Sequence, residues 1–234
     1  MNAEVLLQVF LPYHSSPNFA RVLAILTLPV ESPYHAPFSP LIKQAQPVPR
    51  SYITTVIAPE REKSLRLLSD VAGMIQVALA EKTVHRALLT FWAGVMVELL
   101  DKSRNGKGVG EGLVKVLVET FAEILTTKQS GKDVNAAVYP PLILLTRSVH
   151  LADEPFSELL SSLLTPASGA DVSQRILTLL VVLNDRKDWQ GGLGEDAAAR
   201  LAQYKEIAGL LTAAMEKYDF TNALSVLFSV MAER

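Results

Sequence analysis

The chain has 234 residues, enough to bury a sizeable core as one large domain or as a series of repeats. It contains no cysteine, which excludes disulfides, thiol catalysis and cysteine-bound zinc. The net charge is −2, with 15 Lys/Arg against 12 Asp/Glu up to residue 150 and 7 against 12 after it. The basic excess typical of nucleic-acid-binding domains is therefore missing, and the acidic last third suits a basic partner. No apolar run approaches the roughly 18 residues that a membrane span needs.

The first predicted element is a helical hairpin over residues 1–28 with a sharp corner inside it. Pro12 is predicted to set the turn between the two helices. Ser16-Pro17 is predicted to start the second helix, because proline is favoured in the first turn of a helix. We expect Tyr13 and His14 to pack against, or hydrogen-bond to, the segment that follows.

Residues 29–59 interrupt the helical pattern, because they carry seven of the 13 prolines. Proline removes a backbone donor and fixes φ, so this segment is predicted to be an extended arm or a long loop. The stretch SYITTVI at residues 51–57 has enough β-branched residues for a short strand, which would need a partner strand. Both a surface loop and an arm that docks on a neighbouring repeat or another subunit fit this composition.

Residues 60–234 repeat the apolar periodicity of amphipathic helices, one face of which is formed by Leu201, Tyr204, Ala208, Leu211 and Met215. In pairs, these predicted helices form about four hairpins that begin near residues 60, 109, 154 and 196. The intervals approach the roughly 40–47 residues of HEAT and armadillo units, whose stacked hairpins share a continuous core. The predicted fold is all-α, a HEAT/armadillo-like α-solenoid with a Pro-rich loop or arm at about 29–59. A four-helix-bundle-like or irregular all-α domain is the alternative.

No residue pattern in the chain indicates catalysis, a metal site or a cofactor site. The histidines lack the spacing of metal ligands. The glycines of NGKGVGEG at residues 105–112 alternate after a predicted helix, unlike those of a phosphate-binding loop. Phe91 and Trp92 are predicted to belong to the core, whereas Trp189 is left open between core and a stacking platform. We therefore predict a protein that is not an enzyme and that has no cofactor, small-molecule substrate or membrane contact.

Three Ser-Pro dipeptides begin at Ser16, Ser32 and Ser39. A serine followed by proline is the minimal sequence that proline-directed kinases phosphorylate. The dipeptide alone does not distinguish the three positions.

The corner carries a resemblance to a known family. A set of residues resembles the N-terminal region of very large HEAT-repeat proteins: LPYH at residues 11–14, then Phe19, Arg21-Val22 and Leu26, and later Ile53-Thr54. These proteins form the U-three small nucleolar RNA-associated protein ten family, called HEAT repeat-containing protein one in animals. The specific part of the resemblance covers about residues 5–57. Its candidate motif residues are Pro12, Tyr13, His14, Phe19 and Arg21.

The resemblance implies an α-solenoid in the nucleolus, within the UtpA (t-Utp) subcomplex of the small-subunit processome. That subcomplex engages the 5′ external transcribed spacer of pre-ribosomal RNA. The implied role is a non-catalytic scaffold for small-subunit rRNA processing and rDNA transcription. Its implied partners are other UtpA subunits and processome proteins, with pre-rRNA contacted through the complex. Since family members are far longer, the chain is expected to be a fragment.

The residues alone leave other functions open. A HEAT-repeat adaptor from another pathway would show the same helical periodicity, and only the corner motif separates it from the first interpretation. Direct RNA binding by this chain is a third possibility, and a phosphate-contacting surface would give it a steep dependence on salt.

Overall fold

The computed structural model of the chain describes residues 3–42, 44, 46–58, 62–105, 109–165, 171–186, 189, 200–201, 204 and 207–232. All regular secondary structure within these residues is helical, with thirteen α-helices, one 3₁₀ turn and no β-strand. The predicted all-α, HEAT-like class is therefore confirmed. The chain forms two compact units, Met1–Leu117 and Val118–Arg234.

The first unit consists of short helices around one long one. Its elements are α1 (Ala3–Phe10), a 3₁₀ turn (Leu11–Tyr13), α2 (Pro17–Ile25), α3 (His35–Ile42), α4 (Arg50–Ile57), α5 (Glu62–Ala72), α6 (Met74–Ala80) and α7 (Arg86–Asn105). The next helix, α8 (Glu111–Thr126), crosses the division between the units.

Helix α7 is the centre of the first unit, since α4, α5, α6 and the 3₁₀ turn all pack on it. Phe91 and Trp92 on this helix are 4% and 0% exposed, as the prediction of core positions requires. The indole Nε1 of Trp92 donates to the carbonyl oxygen of Ala72 over 2.9 Å. This bond satisfies the one polar group that the ring brings into the core.

The Pro-rich segment contains two helices, α3 and α4, and the predicted short strand at residues 51–57 is wrong. Ile53, Thr54 and Ile57 share one face of α4 and are 1%, 0% and 2% exposed, because this helix packs on α5 and α7. Their three- and four-residue spacing fits a helix, and burial of that face outweighs the strand preference of β-branched residues. Pro49 is the N-cap residue, where its missing N–H costs no intrahelical bond. A docking role for this segment stays a prediction.

The second unit is built around α11. Its elements after α8 are α9 (Lys132–Ser148), α10 (Asp153–Leu164), α11 (Val172–Asp185), α12 (Ile207–Met215) and α13 (Thr221–Ala232). Helices α9, α10 and α13 all pack on α11. Leu179, Leu180 and Leu183 of α11 are at most 1% exposed and form the centre of this core.

Three of the four predicted hairpins begin close to an observed helix start. Helices α5, α8 and α10 start at Glu62, Glu111 and Asp153, beside the predicted positions 60, 109 and 154. The fourth predicted start, near residue 196, lies outside the described residues. The division into residues 1–28, 29–59 and 60–234 stays a prediction.

One predicted apolar face is wrong in part. On α12, Met215 is 55% exposed and Ala208 is also exposed, whereas Ala214 is 5% exposed. The helix therefore turns a different side toward its unit than the periodicity of residues 201–215 indicates. With small residues at many positions of IAGLLTAAM, the sequence defines the buried side of this helix weakly.

Candidate functional site

The predicted corner is a 3₁₀ turn tied to the far end of the Pro-rich segment. His14 Nδ1 lies 2.5 Å from the carbonyl oxygen of Val48, and the Val48 N–H donates to the carbonyl oxygen of His14 over 2.8 Å. The His14 ring also packs against Phe91, with 5.5 Å between ring centroids. The predicted contact between His14 and the Pro-rich segment is thus confirmed. This contact joins two positions that are 34 residues apart in the sequence.

The other candidate motif residues occupy unlike environments. Pro12 is half-buried within the 3₁₀ turn between α1 and α2, where it was expected. Phe19 is 0% exposed and is a core residue of α2. Arg21 is on the exposed side of the same helix. These placements give Pro12 and Phe19 structural roles, and the use of the set as a family motif stays a prediction.

Tyr13 belongs to an exposed apolar stripe on the first unit. Val5, Val9 and Tyr13 are spaced four residues apart along α1 and the 3₁₀ turn, and they are 50%, 58% and 43% exposed. The Tyr13 ring stacks on His85, with centroids 5.8 Å apart and planes inclined by 30°. We call Val5, Val9 and Tyr13 the α1 stripe. Their spacing puts the three side chains on one side of consecutive turns, which makes this side a candidate contact surface.

A partly exposed polar cluster joins α4 to α7 in the first unit. Glu98 accepts hydrogen bonds from Arg50 Nε and from Thr54 Oγ1, both over 2.9 Å, and lies 3.1 Å from Lys102 Nζ. Burial alone would raise the pKa of Glu98, but the bonds from Arg50, Lys102 and Thr54 together lower it. Gly94 leaves room for the Arg50 guanidinium, because a Cβ there would lie 2.5 Å from Nη1 and would make this side chain shift.

A second polar group in the first unit is more deeply buried. Tyr34 is 1% exposed; its hydroxyl accepts from Gln8 Nε2 over 2.9 Å and donates to Asp70 Oδ2 over 3.1 Å. Burial, and then the neighbouring Asp70 charge, raises the pKa of Tyr34. Burial also raises the pKa of Asp70, against the opposing effect of the Tyr34 bond. The group connects three separate parts of the unit.

The second unit contains a charged pair closed off from solvent. Asp171 and Arg175 are 0% and 3% exposed, and Arg175 Nε donates to Asp171 Oδ2 over 2.9 Å. The same oxygen accepts from Asn135 Nδ2 over 2.7 Å and from Tyr139 Oη over 2.8 Å. Burial, followed by the hydrogen bond to Asp171, raises the pKa of Tyr139. We call these four residues the Asp171 clasp.

Arg175 extends the clasp to the ends of two other helices. Its Nη1 donates to the carbonyl oxygens of Ser162 and Thr165 over 3.2 and 3.0 Å, and its Nη2 to that of Leu125 over 2.8 Å. These carbonyls lie at the C-terminal ends of α8 and α10, where helices leave acceptors without intrahelical partners. One guanidinium therefore holds the ends of α8 and α10 to the start of α11. This is a structural brace, because no substrate can reach the charges.

The clasp does not stand out in the amino-acid sequence. The available signal was the position of Arg175 next to Ile176 and four residues before Leu179, on the apolar side of a predicted helix. A charge on an apolar face requires a partner when the helix packs. Asp171, at spacing i, i+4, is the nearest acidic candidate in sequence.

Beside the clasp, the surface of the second unit forms an open groove. Its volume is about 460 Å³, and its walls include Glu119 and Glu123 from α8 and Glu158 from α10, all exposed. Arg200 also lines it and donates through Nη1 to the carbonyl oxygen of Ser161 over 3.3 Å. With three glutamates against one arginine among these lining residues, the groove is acidic.

Within the described residues, no group of three or more His, Asp or Glu side chains is arranged to hold a metal ion. None of the described helices is both long and apolar enough to cross a membrane. Trp189, which the sequence left open, is 4% exposed and packs edge-on against Phe156 at 5.3 Å, so its ring is part of the core.

The sequence is similar to a known protein family over much of its length. A sequence model of the family described as U3 small nucleolar RNA-associated protein 10 matches residues 113–231. The match covers a part of the chain other than residues 5–57, where the corner motif lies.

Relatives that bear the same name match still more of the chain. The protein of Pyricularia oryzae is 26% identical over 100% of this chain and 13% of its own length. Those of Aspergillus terreus and Neurospora crassa are each 25% identical, over 80% and 90% of this chain and 10% and 12% of their own lengths. The chain thus spans 10–13% of the length of these relatives.

Proposed function

The chain belongs to the family of U3 small nucleolar RNA-associated protein 10, and on that premise we propose that it is a non-catalytic scaffold segment of a nucleolar ribosome-biogenesis factor. The observation that carries the proposal is the family match over residues 113–231, joined by relatives that align with the whole chain. The name of those relatives connects them with U3 small nucleolar RNA and supports a role in rRNA processing.

The finer assignment is to the UtpA (t-Utp) subcomplex of the small-subunit processome. There the chain would contribute to pre-18S rRNA processing and rDNA transcription as one segment of a longer α-solenoid. Its direct partners would be UtpA subunits and other processome proteins, with pre-rRNA held through the complex. The helical architecture supports this role, because stacked helical hairpins present long continuous surfaces to partners.

Two features support a role without catalysis. The most deeply buried charged pair, Asp171 and Arg175, lies in the core, and the two side chains are hydrogen-bonded to each other. The exposed features are instead those of contact surfaces: the α1 stripe on one unit and the acidic groove on the other. Apolar and acidic surfaces suit protein partners better than an RNA backbone, which requires positive charge.

The test is affinity purification from nuclear extract with the 234-residue chain as bait, followed by mass spectrometry. We expect UtpA subunits and other processome proteins to be recovered after RNase treatment. Their loss after RNase would contradict direct protein contact. Their absence before RNase, with a folded bait, would contradict the assignment to the processome.

The variant bait carries substitutions only at exposed side chains, so that it stays folded. Val9→Asp with Tyr13→Ala changes the α1 stripe, whose side chains are 58% and 43% exposed, and leaves the core intact. Phe19 is unsuitable for this purpose, because it is fully buried and its truncation would unfold the bait. Selective loss of partners with the stripe variant would assign the contact to the first unit.

Direct RNA binding is separated from the scaffold role by a salt series. In filter binding, pre-rRNA fragments should bind the chain weakly, and the affinity should change little with salt concentration. A surface that neutralises several phosphates would instead lose affinity steeply as salt rises. A steep slope would show that the chain itself contacts RNA.

A further inference from the structure

The three Ser-Pro dipeptides differ in how open they are to an enzyme. Ser32 is 5% exposed, and its Oγ accepts a hydrogen bond from the Tyr34 N–H over 3.2 Å. Ser39 lies within α3 and is followed by Pro40 inside the same helix. Protein kinases bind the residues around the accepting hydroxyl in an extended form. Ser32 and Ser39 therefore become substrates only after local unfolding.

Ser16 lies at the junction of a turn and a helix, and its neighbours Pro17 and Asn18 become extended once the first turn of α2 opens. The Ser16 backbone is extended, with φ −86° and ψ 142°, as the following proline favours. The neighbouring Ser15, Pro17 and Asn18 are all exposed, and Ser16 itself is only half-buried. Among the described residues, its side chain makes one polar contact, a 3.2 Å hydrogen bond from the exposed Asn18 N–H. The hydroxyl can therefore be reached without opening the core.

We propose that Ser16 is a phosphorylation site for a proline-directed protein kinase. In the reaction, Ser16 Oγ attacks the γ-phosphorus of ATP and forms a new O–P bond. The bond from that phosphorus to the oxygen bridging it to the β-phosphate breaks, and ADP leaves with the electron pair. The hydroxyl proton passes to the catalytic base of the kinase. The site is independent of the scaffold function proposed above.

The modification stabilises the start of α2. Ser16 is the N-cap of this helix, and a phosphate there brings about −1.5 to −2 charges to the positive end of the helix dipole. A phosphate oxygen replaces Oγ as acceptor for the Asn18 N–H. We expect the melting temperature of the chain to rise by about 1–3 °C on phosphorylation.

The experiment compares the folded chain with its own peptides. The 234-residue chain is incubated with ATP and a purified mitogen-activated protein kinase, and phosphate is located by fragmentation mass spectrometry. Synthetic peptides of residues 11–21, 27–37 and 34–44 give the intrinsic rate at each serine. When each rate is divided by that of the matching peptide, Ser16 in the chain should react at least about ten-fold faster than Ser32 or Ser39. Opening the first turn of α2 costs less free energy than exposing Ser32 or unfolding α3.

Two variants complete the test. Ser16→Thr keeps both the cap and an accepting hydroxyl and should still be phosphorylated, whereas Ser16→Ala should lose the modification. Circular dichroism checks that both variants stay folded. Phosphate on Ser32 or Ser39 at rates similar to Ser16, or no phosphate on Ser16 in the chain or in its peptide, would overturn the proposal.

Discussion

Each unit of the protein uses a carboxylate with a cation four residues later to connect its helices. In the first unit Glu98 and Lys102 are 3.1 Å apart, and in the second Asp171 and Arg175 are 2.9 Å apart. The side chains of the first pair are 23% and 42% exposed, whereas those of the second are 1% and 3% exposed. The spacing is the same and the distances are similar, whereas the burial of the two pairs differs greatly.

That difference determines what happens when one partner is lost. Water replaces a lost partner of Glu98, so an exposed pair contributes little to stability. Water cannot replace a lost partner of Asp171, so the remaining charge stays buried and uncompensated. The second unit, which carries most of the family match, should therefore depend on its charged pair far more than the first unit does.

The largest effect is expected from Arg175→Met. It leaves Asp171 buried without its cation and removes the donors for the carbonyls of Ser162, Thr165 and Leu125. The free energy of unfolding in urea should fall by about 3–5 kcal/mol. The matched control is Arg147→Met, whose pair with Asp185 is short at 2.6 Å but 53% and 30% exposed. The free energy of unfolding of Arg147→Met should fall by at most about 1 kcal/mol. Equal losses for Arg147→Met and Arg175→Met would contradict the idea that burial sets the cost.

A smaller loss is expected from Tyr139→Phe, which removes one hydrogen bond to the buried Asp171 carboxylate. The free energy of unfolding should fall by about 1.5–3 kcal/mol, since the bond is to a charged group. Tyr52→Phe is the control in the first unit, because the Tyr52 hydroxyl donates to the neutral carbonyl of Pro37. Its loss should be about 0.5–1.5 kcal/mol. The reverse order would contradict a special role for the clasp.

Glu98→Gln should cost still less, about 0.5–1 kcal/mol at pH 7, and its cost should depend on pH. The folded-state pKa of Glu98 is lowered from the ordinary 4.5, so the stabilisation is present above about pH 4.5 and is lost as pH falls through the folded value. Urea unfolding at pH 7 and at about pH 3 checks the sign. A difference from wild type that stays constant between these two pH values would show that the charge of Glu98 contributes nothing.

The smallest effect is that of salt. Between about 0.1 M and about 1 M NaCl the Debye length falls from about 10 Å to about 3 Å, which screens exposed charges and leaves buried ones nearly unaffected. The cost of Glu98→Gln should shrink in high salt, and the cost of Arg175→Met should not. Unfolding midpoints of the two variants, each against wild type at the same salt, measure this. Equal salt responses would show that water reaches the clasp.

Much of the fold follows from patterns that are local in the sequence. Pro17 begins α2 after the capping Ser16, as its position predicts, and Glu111 and Asp153 mark helix starts close to the expected positions. Phe91 and Trp92 are in the core because apolar periodicity puts them on one side of a long helix. Such features depend on neighbours one helical turn away, which the sequence displays directly.

The candidate site was predicted less completely. His14 was expected to contact the Pro-rich segment, but its acceptor, the carbonyl of Val48, is 34 residues away and could not be named from the pattern. The exposure of Val5 and Val9 depends on which side of α1 faces the unit. The clasp depends on how α9 and α10 pack on α11, and no local sequence pattern predicts that packing.

The sequence by itself determined the all-helical class, several helix starts and most core faces, because helix formation and amphipathic periodicity are short-range properties. Tertiary structure decided the helical state of residues 51–57, the outward direction of Met215 and the burial of Asp171 with Arg175. Each of these depends on the free energy of packing against residues distant in sequence. That energy overrides local preference wherever a face is buried, and it makes an ordinary i, i+4 ion pair a central brace of the second unit.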